Sequence, residues 1–421
     1  MSGFADETRA LGDLAARGLR GFTGLIEDTH GAIAQRSFGA APASAPARLG
    51  HDTIAAATYR AIQGASGVLL RAGATAVAAA VRTQRSIGDS RGGALALGAL
   101  NGTSGDQLAS RDSPLAIEAQ LRRGGERVRT APAELATRYP DATGRMAVFV
   151  HGLCETEHAW WWRADRSHGG ETYGSRLRRE LGHTPLYVRY NTGRHISDNG
   201  RELARLLHEV EAGWPVPVEE IVLVGHSMGG LVLRSACHAA LDEGSAWPER
   251  VRHVVYLGSP HTGADLEKAA HVAAWALGAV PETRSVSRVI DSRSSGIQDL
   301  RFGYLREEDW RDRDTSELLR SYRGDVPFLD TATHYFIAAS VTREGSHPVG
   351  RAVGDLLVRQ PSAWADGQHA IRERFDLDRS RALGPLTHFD LLNHPEVYAH
   401  MRRWLEVGAP DPRRTIPEDA Q

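Results

Sequence analysis

The stretch Ile221-Val222-Leu223-Val224-Gly225-His226-Ser227-Met228-Gly229-Gly230, continued by Leu231-Val232-Leu233-Arg234-Ser235-Ala236, decides how the rest of the chain is read. Four apolar, mostly branched residues read as a buried strand, and the apolar positions after Gly230 read as a helix. Between them, Gly225 to Gly229 fits the G-x-S-x-G pattern, in which a serine stands on a sharp strand-to-helix corner. Such a corner strains its central residue, and side chains beside it collide. Glycines two before and two after remove the collisions and leave the hydroxyl exposed. The helix N-terminus behind the serine favours negative charge at that place. In a glycine-rich chain the flanking strand and helix are what give the motif its meaning.

The chain has 421 residues, 41% of them hydrophobic, and a formal net charge of -2. That length suits one large α/β domain with additions, or two domains. Near-neutral charge without a long Lys/Arg run argues against nucleic acid as a partner. The two cysteines, Cys154 and Cys237, make no disulfide framework, and Cys237 falls on the helix after Ser227, where a buried thiol is expected. The first residues carry neither a basic nor an apolar leader segment, so a cytoplasmic setting is expected. The most apolar run, Ala72 to Val81, lies between Arg71 and Arg82 and is shorter than the ~20 residues a membrane span needs. No transmembrane segment is expected.

Residues 1–130 read as a helical N-terminal extension, with helices near Glu7–Arg17, Leu25–Gln35, Thr53–Gln63 and Val68–Thr83. Gly64, Gly67, Gly73 and Ala76 permit close helix packing, within the chain or in a homo-oligomer, with a membrane surface as the remaining alternative. Asn101 to Pro114 reads as a loop because of Gly102, Gly105 and Pro114. From Arg145 strands and helices alternate, which predicts a mostly parallel sheet covered on both faces. Residues 131–408 are thus expected to form an α/β catalytic domain. Its strands are Met146 to Val150, Pro185 to Tyr190, the one before Ser227, Val251 to Leu257 and Thr333 to Val341. Ser197-Asp198 is placed to cap a helix with Leu203, Leu206, Leu207 and Val210 on its apolar face. Residues 263–327 read as a lid or cap insertion. Pro395 opens a last helix, and residues 409–421 read as a disordered tail.

A serine nucleophile needs a base, an acid to orient that base, and donors for an oxyanion. One donor is the backbone N–H of Met228, next after Ser227. The second is sought in Val148-Phe149-Val150-His151-Gly152-Leu153-Cys154, where a strand runs into His-Gly; Leu153 is the choice, with Cys154 behind it. For the base, His388 stands on a loop before the last helix, ahead of its rivals His394 and His400. For the acid, Asp355 in Val353-Gly354-Asp355-Leu356-Leu357-Val358 has the required place in the order, with Asp330, Asp366 and Asp376 as rivals. Trp160, Trp161 and Trp162 follow the oxyanion loop and suit either an acyl pocket or packing under a lid. His226 and His261 are candidate lining residues. Glu155, Glu157 and His158 form no recognised ligand set and read as a solvated loop, so no metal is expected.

These motifs together resemble the lipase/esterase branch of the α/β-hydrolase superfamily, particularly bacterial triacylglycerol lipases and hydrolases similar to the GPI inositol deacylase. The resemblance rests on the strand ending in His151-Gly152, the Gly225-to-Gly230 elbow, Gly258-Ser259-Pro260-His261-Thr262-Gly263, Gly354 to Val358, and His388 to Leu392, in that order. It spans about Arg145 to Leu405. It implies Ser227 as nucleophile, Asp355 as acid and His388 as base, with no cofactor. Leu356 replaces the second glycine usual after the acid, which implies a differently shaped acid loop.

The expected chemistry is hydrolysis of a carboxylic ester, with an apolar acyl chain, through an acyl-enzyme. An acyltransferase with the same three residues is one alternative. A non-catalytic binding or scaffold module on the same fold is another.

Overall fold

The computed structural model describes residues 5–13, 86–165, 169–261, 294–311, 324, 326–339 and 379–406. The chain divides into two compact units, one of residues 1–87 with 113–115, the other of residues 88–112 with 116–421. In the first unit, residues 5–13 are helical, overlapping the first expected helix from Glu7 onward. There the buried Glu7 carboxylate accepts from the Ser86 hydroxyl at 2.7 Å and the Ile87 amide at 2.5 Å. The other three expected N-terminal helices and the tail at 409–421 lie outside the described residues.

The second unit is built on one eight-stranded sheet in the order β2-β1-β4-β3-β5-β6-β7-β8. The strands are β1 (Gln120–Arg123), β2 (Glu126–Val128), β3 (Arg145–Val150), β4 (Thr184–Arg189), β5 (Glu220–His226), β6 (Val251–Leu257), β7 (Thr333–Ala339) and β8 (Ser380–Leu383). Strands β3 to β8 run parallel; β1 pairs antiparallel with both β2 and β4. The mostly parallel sheet expected from the alternating pattern is therefore present. It also takes in β1 and β2, which precede residue 131.

The alternation of side chains along each strand divides the core in two. Met146, Val148, Ile221, Leu223, Val254 and Tyr256 face one cluster; Ala147, Phe149, Val222, Val224, Val255 and Leu257 face the other. Because both faces are buried, these strands are continuous apolar runs with no polar side. The helices are α1 (Arg91–Ala109), α2 (Pro132–Arg138), α3 (Tyr173–Leu181), α4 (Ile196–Gly213), α5 (Met228–Asp242), α6 (Ser295–Phe302) and α7 (Pro395–Glu406). Leu203, Leu207 and Val210 of α4 and Leu231, Val232 and Ala236 of α5 fill the first cluster. Tyr173 and Leu177 of α3 and Val397, Met401 and Trp404 of α7 fill the second. No helix among the described residues is long and apolar enough to cross a membrane.

Two local readings differ from the structure. Residues 101–109 continue helix α1 rather than forming a loop, with a kink at Ser104. The reason is packing: a Cβ on Gly98 would stand 2.9 Å from the Glu155 carbonyl oxygen, and one on Gly102 would stand 2.9 Å from Cys154 Cα and overlap its Sγ. These glycines let α1 lie directly on the loop after β3. Helix α4 begins at Ile196, so Ser197-Asp198 lies inside it, and no side chain of its own caps it. Asp299 of α6 takes that place, accepting the Ile196 amide at 2.8 Å. Of the expected lid or cap, 263–327, residues 294–311, 324 and 326–327 are described; Ile297, Leu300 and Leu305 among them are buried, and the Ser235 hydroxyl of α5 donates to the Leu305 carbonyl at 2.7 Å.

The α1 contact is testable. Gly102→Ala should lose about 1–3 kcal/mol to overpacking, whereas at Gly92, where an added Cβ meets nothing within 4 Å, Ala should cost nothing. Denaturant titration of both variants measures this; equal stability would mean α1 does not press on the Cys154 loop.

Candidate active site

Strand β5 ends at His226 and helix α5 begins at Met228, so Ser227 is the corner between them, at φ 52° and ψ -123°. A non-glycine residue with positive φ and such ψ is strained, at a cost of about 1–3 kcal/mol. The surroundings enforce it. The Ser227 amide donates to the Leu257 carbonyl of β6 at 2.8 Å. A Cβ on Gly225 would stand 2.6 Å from Gly230 Cα, and one on Gly229 would stand 2.6 Å from the His151 carbonyl oxygen. Only glycine fits at either place, as the motif's spacing requires.

The loop after β3 meets this corner. A Cβ on Gly152 would lie 2.9 Å from Ser227 Cβ. The Gly152 amide donates to Glu155 Oε2 at 2.6 Å, and the Cys154 amide donates to Thr192 Oγ1 at 3.1 Å. Among the described residues the Leu153 amide between them has no hydrogen-bond acceptor. The Met228 amide, at the first turn of α5, has none within its helix. Of the two loop positions considered for the second donor, Leu153 is therefore the one left open, and Cys154 is committed elsewhere.

His388 is buried on a one-turn 3-10 helix, His388–Leu391. Its ring packs on His226, with centroids 4.7 Å apart. A Cβ on Gly258, which has φ +64° at the end of β6, would fall 2.9 Å from His388 Nδ1. The histidine thus stands over the ends of β5 and β6, against His226, the residue before Ser227. Its rivals do not: the His394 amide donates to the Tyr173 hydroxyl at 2.7 Å, and the His400 ring lies on Trp404 at 5.6 Å. Asp355, Asp366 and Asp376 lie outside the described residues. Asp330 is exposed and precedes the start of β7, whereas Ser227 follows the far end of its parallel neighbours.

The remaining candidates separate. Trp160 is 1% exposed and packs edge-on to Phe149 of β3, with centroids 5.0 Å apart. Trp161 and Trp162 are 36% and 38% exposed, and Trp161 lies on Tyr187. His261 is buried against Tyr256, Phe328 and Phe336, and Arg234 Nη1 reaches its Nδ1 at 3.3 Å. His226 is fully buried beneath the corner and faces Glu155 Oε2 with Nδ1 at 3.1 Å.

Glu155 and Glu157 are not solvated, contrary to expectation. The Glu157 carboxylate takes both ends of the Arg189 guanidinium at 2.5 Å each, with Arg122 Nε at 3.5 Å. Burial pushes the Glu157 carboxyl up, but the two arginines outweigh it and hold it below the usual carboxylate range. Burial likewise pushes Glu155 up, and the His226 ring and the Gly152 amide overcome it. Among the described residues no cluster of His, Cys, Asp and Glu suits a metal ion.

Two further residues, which sequence reading passed over, hold the site together. Asn393, buried and at φ 57°, accepts the Tyr173 amide at 3.0 Å and donates to the carbonyls of Trp160 at 2.9 Å and Trp162 at 3.0 Å. It fastens the His388 loop to the tryptophan loop. Tyr190 donates to the His151 carbonyl at 2.8 Å and stacks on its ring. An asparagine two residues before a helix-opening proline was the available signal for the first; nothing local marks the second.

The strain at Ser227 is open to test. Ser227→Gly should melt above Ser227→Ala, because glycine relieves about 1–3 kcal/mol of backbone strain and gives back only about 0.5–1 kcal/mol in chain entropy. An alanine variant as stable as the glycine variant would mean the corner is unstrained.

Residues 141–277 match the family model described as the PGAP1-like alpha/beta domain. No curated protein matches the chain. Solved structures that it resembles include a lipase-esterase related protein of Clostridium acetobutylicum, 12% identical, covering 62% of this chain and 94% of that one at a TM-score of 0.32. An esterase of Pyrococcus furiosus is 12% identical, with 64% and 84% covered and a TM-score of 0.38. A hydrolase described as putative, from Bacillus subtilis, is 13% identical, with 63% and 84% covered and a TM-score of 0.33. With its mostly parallel sheet, its Ser227 corner and its matched family model, the chain has an α/β-hydrolase fold and is similar over residues 141–277 to the PGAP1-like alpha/beta domain.

Proposed function

We propose that the protein is a serine hydrolase that cleaves carboxylic esters through an acyl-enzyme. The observation that carries this reading is the strained corner at Ser227, with the His388 ring packed on His226 next to it in the chain and the uncommitted Leu153 amide on the loop that presses against the corner. His388 takes the proton from the Ser227 hydroxyl as its oxygen attacks the acyl carbon. The amides of Leu153 and Met228 bind the oxyanion; losing one such donor costs ~3 kcal/mol of transition-state stabilisation. Protonated His388, oriented by Asp355, gives its proton to the leaving alcohol, and water then releases the acid by the same steps in reverse roles. No cofactor takes part. The exposed indoles of Trp161 and Trp162 next to this loop support an ester with an apolar acyl chain. Both cysteines are buried and free, which suits the cytoplasmic setting we propose.

Ser227→Ala should abolish hydrolysis of p-nitrophenyl esters while its circular dichroism stays that of the parent. Asp355→Asn should lower kcat by at least about a hundredfold, as an acid that orients the base. Undiminished turnover in Ser227→Ala would sink the assignment; undiminished turnover in Asp355→Asn would move the acid elsewhere.

A further inference from the structure

The two histidines beside the corner hold opposite kinds of contact. His151 faces one donor and one acceptor: its Nε2 receives the Tyr190 amide at 3.4 Å, and its Nδ1 lies 3.0 Å from the Gly152 carbonyl. One nitrogen accepts and the other donates, so this ring is neutral. Burial, which pushes it down to about 4, agrees.

His226 instead faces oxygen on both sides. Its Nδ1 meets Glu155 Oε2 at 3.1 Å, and its Nε2 meets the His388 carbonyl at 3.3 Å. A carbonyl oxygen only accepts. Glu155 Oε2 already accepts the Gly152 amide at 2.6 Å, as an ionised carboxylate does. With the Glu155 carboxyl held below the usual carboxylate range, and so ionised, both ring nitrogens are placed to donate. Around the ring stand the Glu155 carboxylate, the His388 and Phe389 rings, and Ser227, with His151 close enough to act on Glu155.

We propose that Glu155 and His226 form a buried charged pair, with His226 protonated on both nitrogens, that positions the catalytic residues. The proposal rests on the reading of Ser227 and His388 given above. The carboxylate holds the Gly152 amide, and hence the loop whose Leu153 amide binds the oxyanion. The imidazolium holds the His388 backbone, and hence the base. His226, the residue before the nucleophile, joins the two loops across the end of β5. Glu155 and His226 act through the loops they hold and take no part in proton transfer or attack; they are positioning residues.

The test has two arms. In the first, the intact protein is labelled with 15N-histidine, and His226 is assigned by its loss in His226→Gln. Near pH 8, where a free imidazole is neutral, both His226 nitrogens should carry protons. In Glu155→Gln, whose amide keeps the same shape but carries no charge, one of the two ring protons should be gone. A single unprotonated nitrogen in the parent protein would overturn the charged pair. In the second arm, Glu155→Gln should lower kcat on a p-nitrophenyl ester about tenfold or more while KM stays within about twofold, as expected for displaced reacting groups. Unchanged kcat would overturn the positioning role. A parent protein without esterase activity would instead count against the proposed function, and the spectroscopic arm would still decide the ion pair.

Discussion

The structure depends on one backbone constraint, the positive φ of Ser227 at the turn from β5 into α5. Left alone, such a conformation relaxes. It persists because both sides of the corner are held by the core. Strand β5 is hydrogen-bonded between β3 and β6 and buried on both faces, and α5 lies against the sheet so closely that Gly229 touches the backbone after β3. Each fully buried Val or Leu contributes about 1.5–3 kcal/mol. A handful of them on β5 and α5 therefore outweighs the strain several times over. The corner's geometry is held by hydrophobic burial on both sides of the sheet.

The same end of the sheet gathers the other candidate groups, since parallel strands bring their following loops to one edge. The loop after β3 brings Gly152 and Leu153, the one after β4 brings Asn191 and Thr192, and the one after β8 brings His388. Polar ties hold these loops to one another: Cys154 to Thr192, Asn393 to Trp160 and Trp162, Glu155 to Gly152 and His226. Deeper in, Glu157, Arg189 and Arg122 form a buried ionic group. Breaking such a group by removing one partner costs about 3–5 kcal/mol, so it holds the loop after β3 even though its assembly contributes little net stability.

Much of this was legible in the residues. Strands β3 to β7 showed because strands buried on both faces must be apolar runs, and Ser227 showed because steric exclusion demands glycine at fixed offsets. His388 and Leu153 were chosen from the order of the loops. Strands β1 and β8, Gln-Leu-Arg-Arg and Ser-Arg-Ala-Leu, were missed because they are short, and pairing with a neighbour overrides their composition. Helix α1 was missed because Gly98 and Gly102, which read as loop residues, serve a close contact that only tertiary structure creates. Glu155 and Glu157 read as solvated because their partners, His226, Arg189 and Arg122, lie far along the chain. The reach of Asn393 across more than two hundred residues leaves no local pattern. Asp355, proposed as the acid, lies outside the described residues.

The central claim is that Ser227 is an activated nucleophile. A fluorophosphonate probe reacts with such a serine and ignores an ordinary one, so intact-protein mass spectrometry with peptide mapping decides it. The account predicts a single adduct on the peptide containing Ser227, lost in His388→Ala. No adduct, or one on another residue, would contradict it.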